Sequence, residues 1–186
     1  MKCKTVAVTG LIGSGKSVVG NYLRQKGFKV IDCDTVARKI AQDPEVISEV
    51  ERLLGSRAVA GGSLDRSYIR DVIFNDADLR TRYNALFHKR IEKEILTTAE
   101  KTDGLLFAEV PLMDVLSVKW FKVWQIVTPD EARFRRAALR DGRSVEDIRR
   151  ISATQKAYSD VCDVIVNDGD IPSLYSKVDR LLEDLQ

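Results

Sequence analysis

Short apolar runs alternate with stretches of helical periodicity along the chain. Thr5-Val-Ala-Val-Thr9 is a β-branched run closed by Gly10, which reads as a buried strand entering a glycine-rich turn. Val18, Val19, Tyr22 and Leu23 then recur at helical spacing, predicting a helix that begins near Ser17 and is stopped by Gly27. Phe28–Asp32 predicts a second strand, and a strand-helix-strand unit of this size implies a right-handed parallel crossover. From Asp34 to about Lys101 the pattern is helical, broken at Pro44, at Gly55 and at Gly61-Gly62-Ser63, with no strand expected. Third and fourth strands are predicted at Gly104–Glu109 and Phe121–Val127, and a fifth at Cys162–Val166. Thr128-Pro-Asp-Glu131 reads as a helix start, with Thr at the cap and Pro at the first helical position; Ser144, followed three residues later by Asp147, marks another. Ile171, Leu174, Val178, Leu181, Leu182 and Leu185 form one stripe of a last helix that should pack on the sheet.

The 186 residues, 44% hydrophobic and 31% charged, fit one globular domain and argue against disorder or a coiled coil. A net charge of +2 calls for neither a nucleic-acid nor a membrane partner. One histidine, His88, and three scattered cysteines, Cys3, Cys33 and Cys162, provide no zinc cluster or disulfide framework, so a reduced, cytoplasmic protein is expected. No apolar stretch reaches the roughly 20 residues of a membrane span, and the N-terminus lacks the pattern of a cleaved leader.

Gly10-Leu-Ile-Gly-Ser-Gly-Lys-Ser17 matches G-x-x-x-x-G-K-[ST], and it lies between a predicted strand and a predicted helix, as that motif requires. Glycines let successive backbone N–H groups turn toward phosphate oxygens, and the helix N-terminus adds its positive dipole end. Lys16 is expected on the β- and γ-phosphates and Ser17 on Mg²⁺. Asp32-Cys-Asp34 closes the second strand, where alternation would aim both carboxylates the same way at the edge that binds ligands in open α/β sheets. Asp34 is the better candidate to orient an acceptor hydroxyl and take its proton, while Asp32 could position a metal-bound water; either one could instead cap the following helix. Farther on, Arg133, Arg136 and Arg140 share a helical face in an arginine-rich stretch that ends at Arg150. Such a face can stabilise a transferring phosphoryl group or can simply be solvated. His88, among Tyr83, Leu86, Phe87, Ile91 and Ile95, reads more readily as structural; Trp120 and Trp124 read as packing residues, and the cysteines as inert.

Taken in order, these pieces resemble the dephospho-CoA kinases, which phosphorylate the ribose 3′-hydroxyl of dephospho-CoA in the last step of coenzyme A synthesis. Val8–Ser17 resembles that family's opening, and Val30-Ile-Asp-Cys-Asp34 its Val-Ile-Asp-Ala-Asp. Leu64-Asp-Arg66 with Ile73-Phe74, Leu86-Phe-His88, Glu109-Val-Pro-Leu-Met113 and Cys162–Asn167 with Gly169 are similar to later segments, so the likeness spans nearly the whole chain. It implies an α/β fold with a five-stranded parallel sheet, in which a core of about 1–60, 102–128 and 157–186 carries a helical substrate-binding insertion (61–101) and a lid (129–156). It implies ATP and Mg²⁺ as cofactors, dephospho-CoA as the partner, and a monomer. On the nucleotide it implies Gly10, Ile12, Gly13, Ser14, Gly15, Lys16, Ser17, Val18, Arg136, Asn167 and Gly169, the last segment beside the adenine. On the acceptor it implies Thr9, Asp32, Asp34, Arg66, His88 and Pro111, with Asp34 as base, with Lys16, Arg66, Arg136 and Arg140 around the phosphates, and with Lys16 and Arg140 assisting transfer. The chain departs from the family where Lys89 replaces a proline, Leu11 a glycine and Val115 a glutamate with Asp114 beside it, and where the link from Gln155 to Asp163 is short, with Lys156 its only basic residue.

Other functions meet obstacles in the sequence. A nucleoside, nucleotide or other small-molecule kinase would share the loop and lid, but the helical insertion and the Asp-x-Asp motif favour dephospho-CoA. A nucleotide switch would need Asp-x-x-Gly and Asn-Lys-x-Asp elements, and neither occurs. The nearly balanced charge argues against reading the arginines as a nucleic-acid surface.

Overall fold

The computed structural model describes residues 3–74, 76–111, 113–158, 160 and 162–185. Five strands, β1 (Lys4–Thr9), β2 (Lys29–Asp32), β5 (Leu105–Glu109), β6 (Lys122–Val127) and β7 (Asp163–Val166), form one sheet in the order β2-β5-β1-β6-β7. Every pairing is parallel. The central strands β1 and β5 read as continuous apolar runs because they are buried on both faces, where polar alternation has no use. The order reverses about β1, so the crevice at the carboxyl ends of the strands opens where β1 hands over to its glycine loop.

Helices α1 (Lys16–Gln25) and α8 (Ile171–Glu183) pack on this sheet. Val19 and Leu23 of α1 meet Val6, Val8, Phe107, Trp124, Ile126 and Ile165 of the strands, and Leu174, Val178 and Leu182 of α8 complete the cluster. Leu181 is partly buried against it and Leu185 joins it, but Ile171 is exposed and stands outside the expected stripe. It is the first residue of α8, before the stripe turns onto the sheet, and Asp170 caps the helix there. Trp124 is fully buried, as the packing expectation requires.

The chain divides into two compact units, residues 1–32 with 98–186, and Cys33–Thr97. The second contains α2 (Cys33–Ile40), α3 (Pro44–Leu54), α4 (Arg66–Phe74) and most of α5 (Ala77–Glu100). Its core is Val46, Val50, Leu54, Ala58 and Ile69, flanked by Tyr83, Leu86 and Phe87. Contrary to the all-helical expectation, this unit holds an antiparallel hairpin, β3 (Val59–Ala60) and β4 (Ser63–Leu64), turned by Gly61 and Gly62. Two-residue strands are too short to show an alternating pattern.

In the first unit, α6 (Asp130–Asp141) and α7 (Val145–Ala153) form a small helical pair over a cluster of Phe134, Ala137 and Ile148. The α7 start follows the sequence: the Ser144 hydroxyl accepts from the Asp147 N–H at 3.1 Å and donates to its carboxylate at 2.8 Å. The α6 start does not. Pro129 is the N-cap and makes no side-chain cap, while the Thr128 hydroxyl donates instead to the Ser14 carbonyl at 3.0 Å. A tertiary acceptor in the glycine loop outcompetes the local cap.

Candidate active site

Residues 10–15 run from the end of β1 to the start of α1. Thr9, the last residue of β1 and the one before this loop's first glycine, is buried. Gly13 has φ +78°, and a Cβ there would collide with the backbone carbonyl of Arg133, so both torsion and space demand glycine. The α1 N-cap is Gly15, with no side-chain cap and no acidic residue in the first turn. By contrast, α3, α7 and α8 are capped by Asp43, Ser144 and Asp170. A helix start that carries a positive dipole end and no carboxylate of its own is suited to a phosphate. Lys16 folds back over the loop, its Nζ donating to the Gly10 carbonyl at 2.5 Å and to the Leu11 carbonyl at 3.4 Å. Ser17 and Val18 follow in the first turn of α1.

Beside the loop, the strand ends bring two carboxylate residues into register, Asp32 of β2 opposite Glu109 of β5. Glu109 is 6% exposed and accepts from Arg24 Nη2 at 2.9 Å. Its carboxylate lies directly against the Cα of Gly20, where a Cβ would collide with it. Burial pushes the Glu109 pKa up; Arg24 opposes that shift, Asp32 adds to it, and Lys16 pulls it down. Lys16, Gly20 and Arg24 recur every fourth residue, so one face of the helix carries the loop's lysine, the gap and the arginine. Sequence reasoning did not single out Glu109 as a site residue. The available signal was a carboxylate closing an otherwise fully apolar strand.

Asp32 and Asp34 do not share a strand. β2 ends at Asp32, and Cys33 and Asp34 form the first turn of α2, so strand alternation does not govern Asp34. An acid in a first helical turn is favoured by the helix dipole. Asp34 belongs to the second unit, as do Arg66, the first residue of α4, and half-buried His88 on α5. The Arg66 charge acts on the Tyr83 phenol, whose pKa is raised mainly by burial. Burial also holds His88 below its usual pKa, against the opposing pull of Glu92. Pro111 lies two residues past the end of β5.

The arginines on α6 part company. Arg133 is buried at 4% exposure, donating through Nε to Asp130 at 2.8 Å and through Nη1 to the Ser152 hydroxyl at 2.6 Å. It is a brace within the helical pair and does not join the exposed face on which Arg136 and Arg140 stand. Arg140 forms a fork with Asp141 at 2.6 and 2.9 Å, which holds the Asp141 pKa below the usual carboxylate range. Just past β7, buried Asn167 donates through Nδ2 to the Ser14 carbonyl at 2.8 Å, and Gly169 follows in the turn before α8. Thr128 and Asn167 therefore grip the same carbonyl of the glycine loop from two strand ends. Ile12, expected on the nucleotide, spends its N–H on the Gln155 side chain at 2.8 Å.

Among the described residues no group of three or more His, Cys, Asp or Glu gathers into a metal site, and no helix is long and apolar enough to cross a membrane. A magnesium ion held mostly by substrate phosphates and water needs no such group.

Comparison with known proteins agrees with this architecture. The model of the dephospho-CoA kinase family matches residues 4–173. A dephospho-CoA kinase of Streptococcus mutans is 31% identical, over 98% of both chains. Among solved structures, TT1252 from Thermus thermophilus superposes with a TM-score of 0.85 at 27% identity over the full length of both chains. A dephospho-CoA kinase from Campylobacter jejuni, 23% identical over 98% of this chain and 97% of its own, shares the fold with a TM-score of 0.67. With the glycine loop, the parallel sheet and a match along nearly its whole length, the chain belongs to the dephospho-CoA kinase family.

Proposed function

We propose that the chain transfers the γ-phosphoryl group of ATP to the ribose 3′-hydroxyl of dephospho-CoA, with Asp34 as the base. The observation that carries this reading is the glycine loop, which leads into a helix start bare of caps and acids and follows the carboxyl-terminal end of β1, between β5 and β6. The loop amides and Lys16 hold the phosphates and neutralise charge that builds on the transferring group. Arg136 and Arg140, on the exposed face of α6, add donors to that charge. Asp34 orients the acceptor hydroxyl and takes its proton, and Asp32 fixes the approach. Arg66, His88 and Pro111 contact the acceptor, and Asn167 to Gly169 lie beside the adenine. Ser17 would hold Mg²⁺, which supplies charge neutralisation across the β- and γ-phosphates when bound. The helices of 61–101 serve the acceptor and 129–156 act as the lid, in a monomeric cytoplasmic enzyme.

The test is an acceptor panel. With ATP and Mg²⁺, dephospho-CoA should be turned over far more efficiently than adenosine, AMP or shikimate. Efficient use of one of those acceptors with no turnover of dephospho-CoA would overturn the assignment.

A further inference from the structure

Ile12, at the tip of the glycine loop, is gripped on three sides by the helical pair that follows β6. Its N–H donates to Gln155 Oε1 at 2.8 Å. Its carbonyl faces Arg133 Nη1 at 3.5 Å, and its side chain packs on the cluster of Phe134, Ala137 and Ile148, which Val145 and Ile151 flank. Arg133 is itself fixed by Asp130 and Ser152, and its guanidinium lies over the Phe134 ring at 4.3 Å from the centroid. Its backbone carbonyl is the wall that Gly13 leaves room for. Two neighbouring residues of the loop are thus shaped by α6 and by the residue two positions past α7. Both helices belong to the segment that carries Arg136 and Arg140.

A loop built on glycine conformations has little stiffness of its own. Its amides can be held ready for an anion only if contacts outside the loop fix them, and such preorganisation appears as affinity. We propose that Gln155 and Arg133 are positioning residues: by clamping Ile12 they hold the loop in its nucleotide-binding shape before nucleotide arrives. Neither residue needs to touch the nucleotide. The proposal rests on the kinase reading above and adds to it a determinant of nucleotide affinity that lies outside the loop motif.

The experiment compares the parent chain with Gln155→Met, which keeps the length of the side chain but removes the acceptor, and Gln155→Glu, which keeps the acceptor. In the Met variant the KM for ATP should rise about tenfold, the size expected for losing one partner of a part-buried peptide N–H. Its kcat and its KM for dephospho-CoA should stay within about twofold. Amide hydrogen exchange without nucleotide should show the Ile12 N–H losing protection in the Met variant and keeping it in the Glu variant. An unchanged ATP KM in the Met variant, or equal loss of Ile12 protection in both variants, would overturn the proposal. If the parent turned over no dephospho-CoA, the kinase reading would fail, and ATP affinity by calorimetry together with the exchange data would still decide the clamp.

Discussion

Gly20→Ala should destabilise the protein, although the same change in a helix interior ordinarily stabilises by about 1 kcal/mol. The reason is the Glu109 carboxylate, which occupies the space an alanine methyl would need. Glu109 is 6% exposed and held at 2.9 Å by Arg24, so its carboxylate cannot step aside into water without giving up that bond. A hydrogen bond between charged groups contributes about 1.5–3 kcal/mol. Setting that loss against the propensity gain leaves a net destabilisation of about 0.5–2 kcal/mol, or a Tm lower by about 1–8 °C for a chain of this size. Urea and thermal denaturation of Gly20→Ala, Glu109→Ala and the double variant would give the coupling directly. With Glu109 truncated, Gly20→Ala should recover its ordinary stabilising effect, making the coupling about 1.5–3 kcal/mol. If Gly20→Ala stabilised the protein equally in both backgrounds, the packing of Glu109 against α1 would be refuted.

Three further outcomes can be checked separately. Asp34→Asn should lose several orders of magnitude in kcat while still binding ATP, and near-normal turnover would exclude it as the base. Gly13→Ala forces a methyl into the Arg133 carbonyl at φ +78°, so ATP binding by calorimetry should weaken more than about tenfold, the equivalent of 1.4 kcal/mol; unchanged affinity would contradict the loop geometry. For His88, burial lowers the folded-state pKa below its ordinary 6.5, so the folded chain binds the proton less readily than the unfolded one. Its contribution to stability is complete above about pH 6.5 and is lost as the pH falls below that value. His88→Gln should flatten the acid side of the stability profile, and an unchanged slope would show that burial does not govern this group.

The glycine loop and the five parallel strands were legible because their constraints are local. Phosphate-binding amides demand glycine and lysine at fixed spacing, and buried parallel strands demand continuous β-branched or apolar runs. The helical pattern read from Asp34 onward begins one residue earlier, at Cys33, so the strand alternation expected to align Asp34 with Asp32 does not apply; no breaker residue marks the change between Asp32 and Cys33. Thr128 carries the signature of a helix cap, yet its hydroxyl goes to the Ser14 carbonyl, a partner 114 residues away. Arg133 looked like one of a row of charged residues, and only the packing of α6 on α7 distinguishes it as buried. Gln155 gave no signal at all, because its role depends on a single amide 143 positions earlier. Apart from the strand-to-helix change at Cys33 and the two-residue strands of the β3–β4 hairpin, what remained hidden was long-range.

The most direct test of the account is to locate the phosphate that the protein adds. Incubating it with ATP, Mg²⁺ and dephospho-CoA and mapping the product by phosphorus NMR should show a new monoester on the ribose 3′-oxygen, formed by the parent and lost in Asp34→Asn. A phosphate elsewhere on the acceptor, or transfer that survives intact in the Asp34 variant, would contradict it.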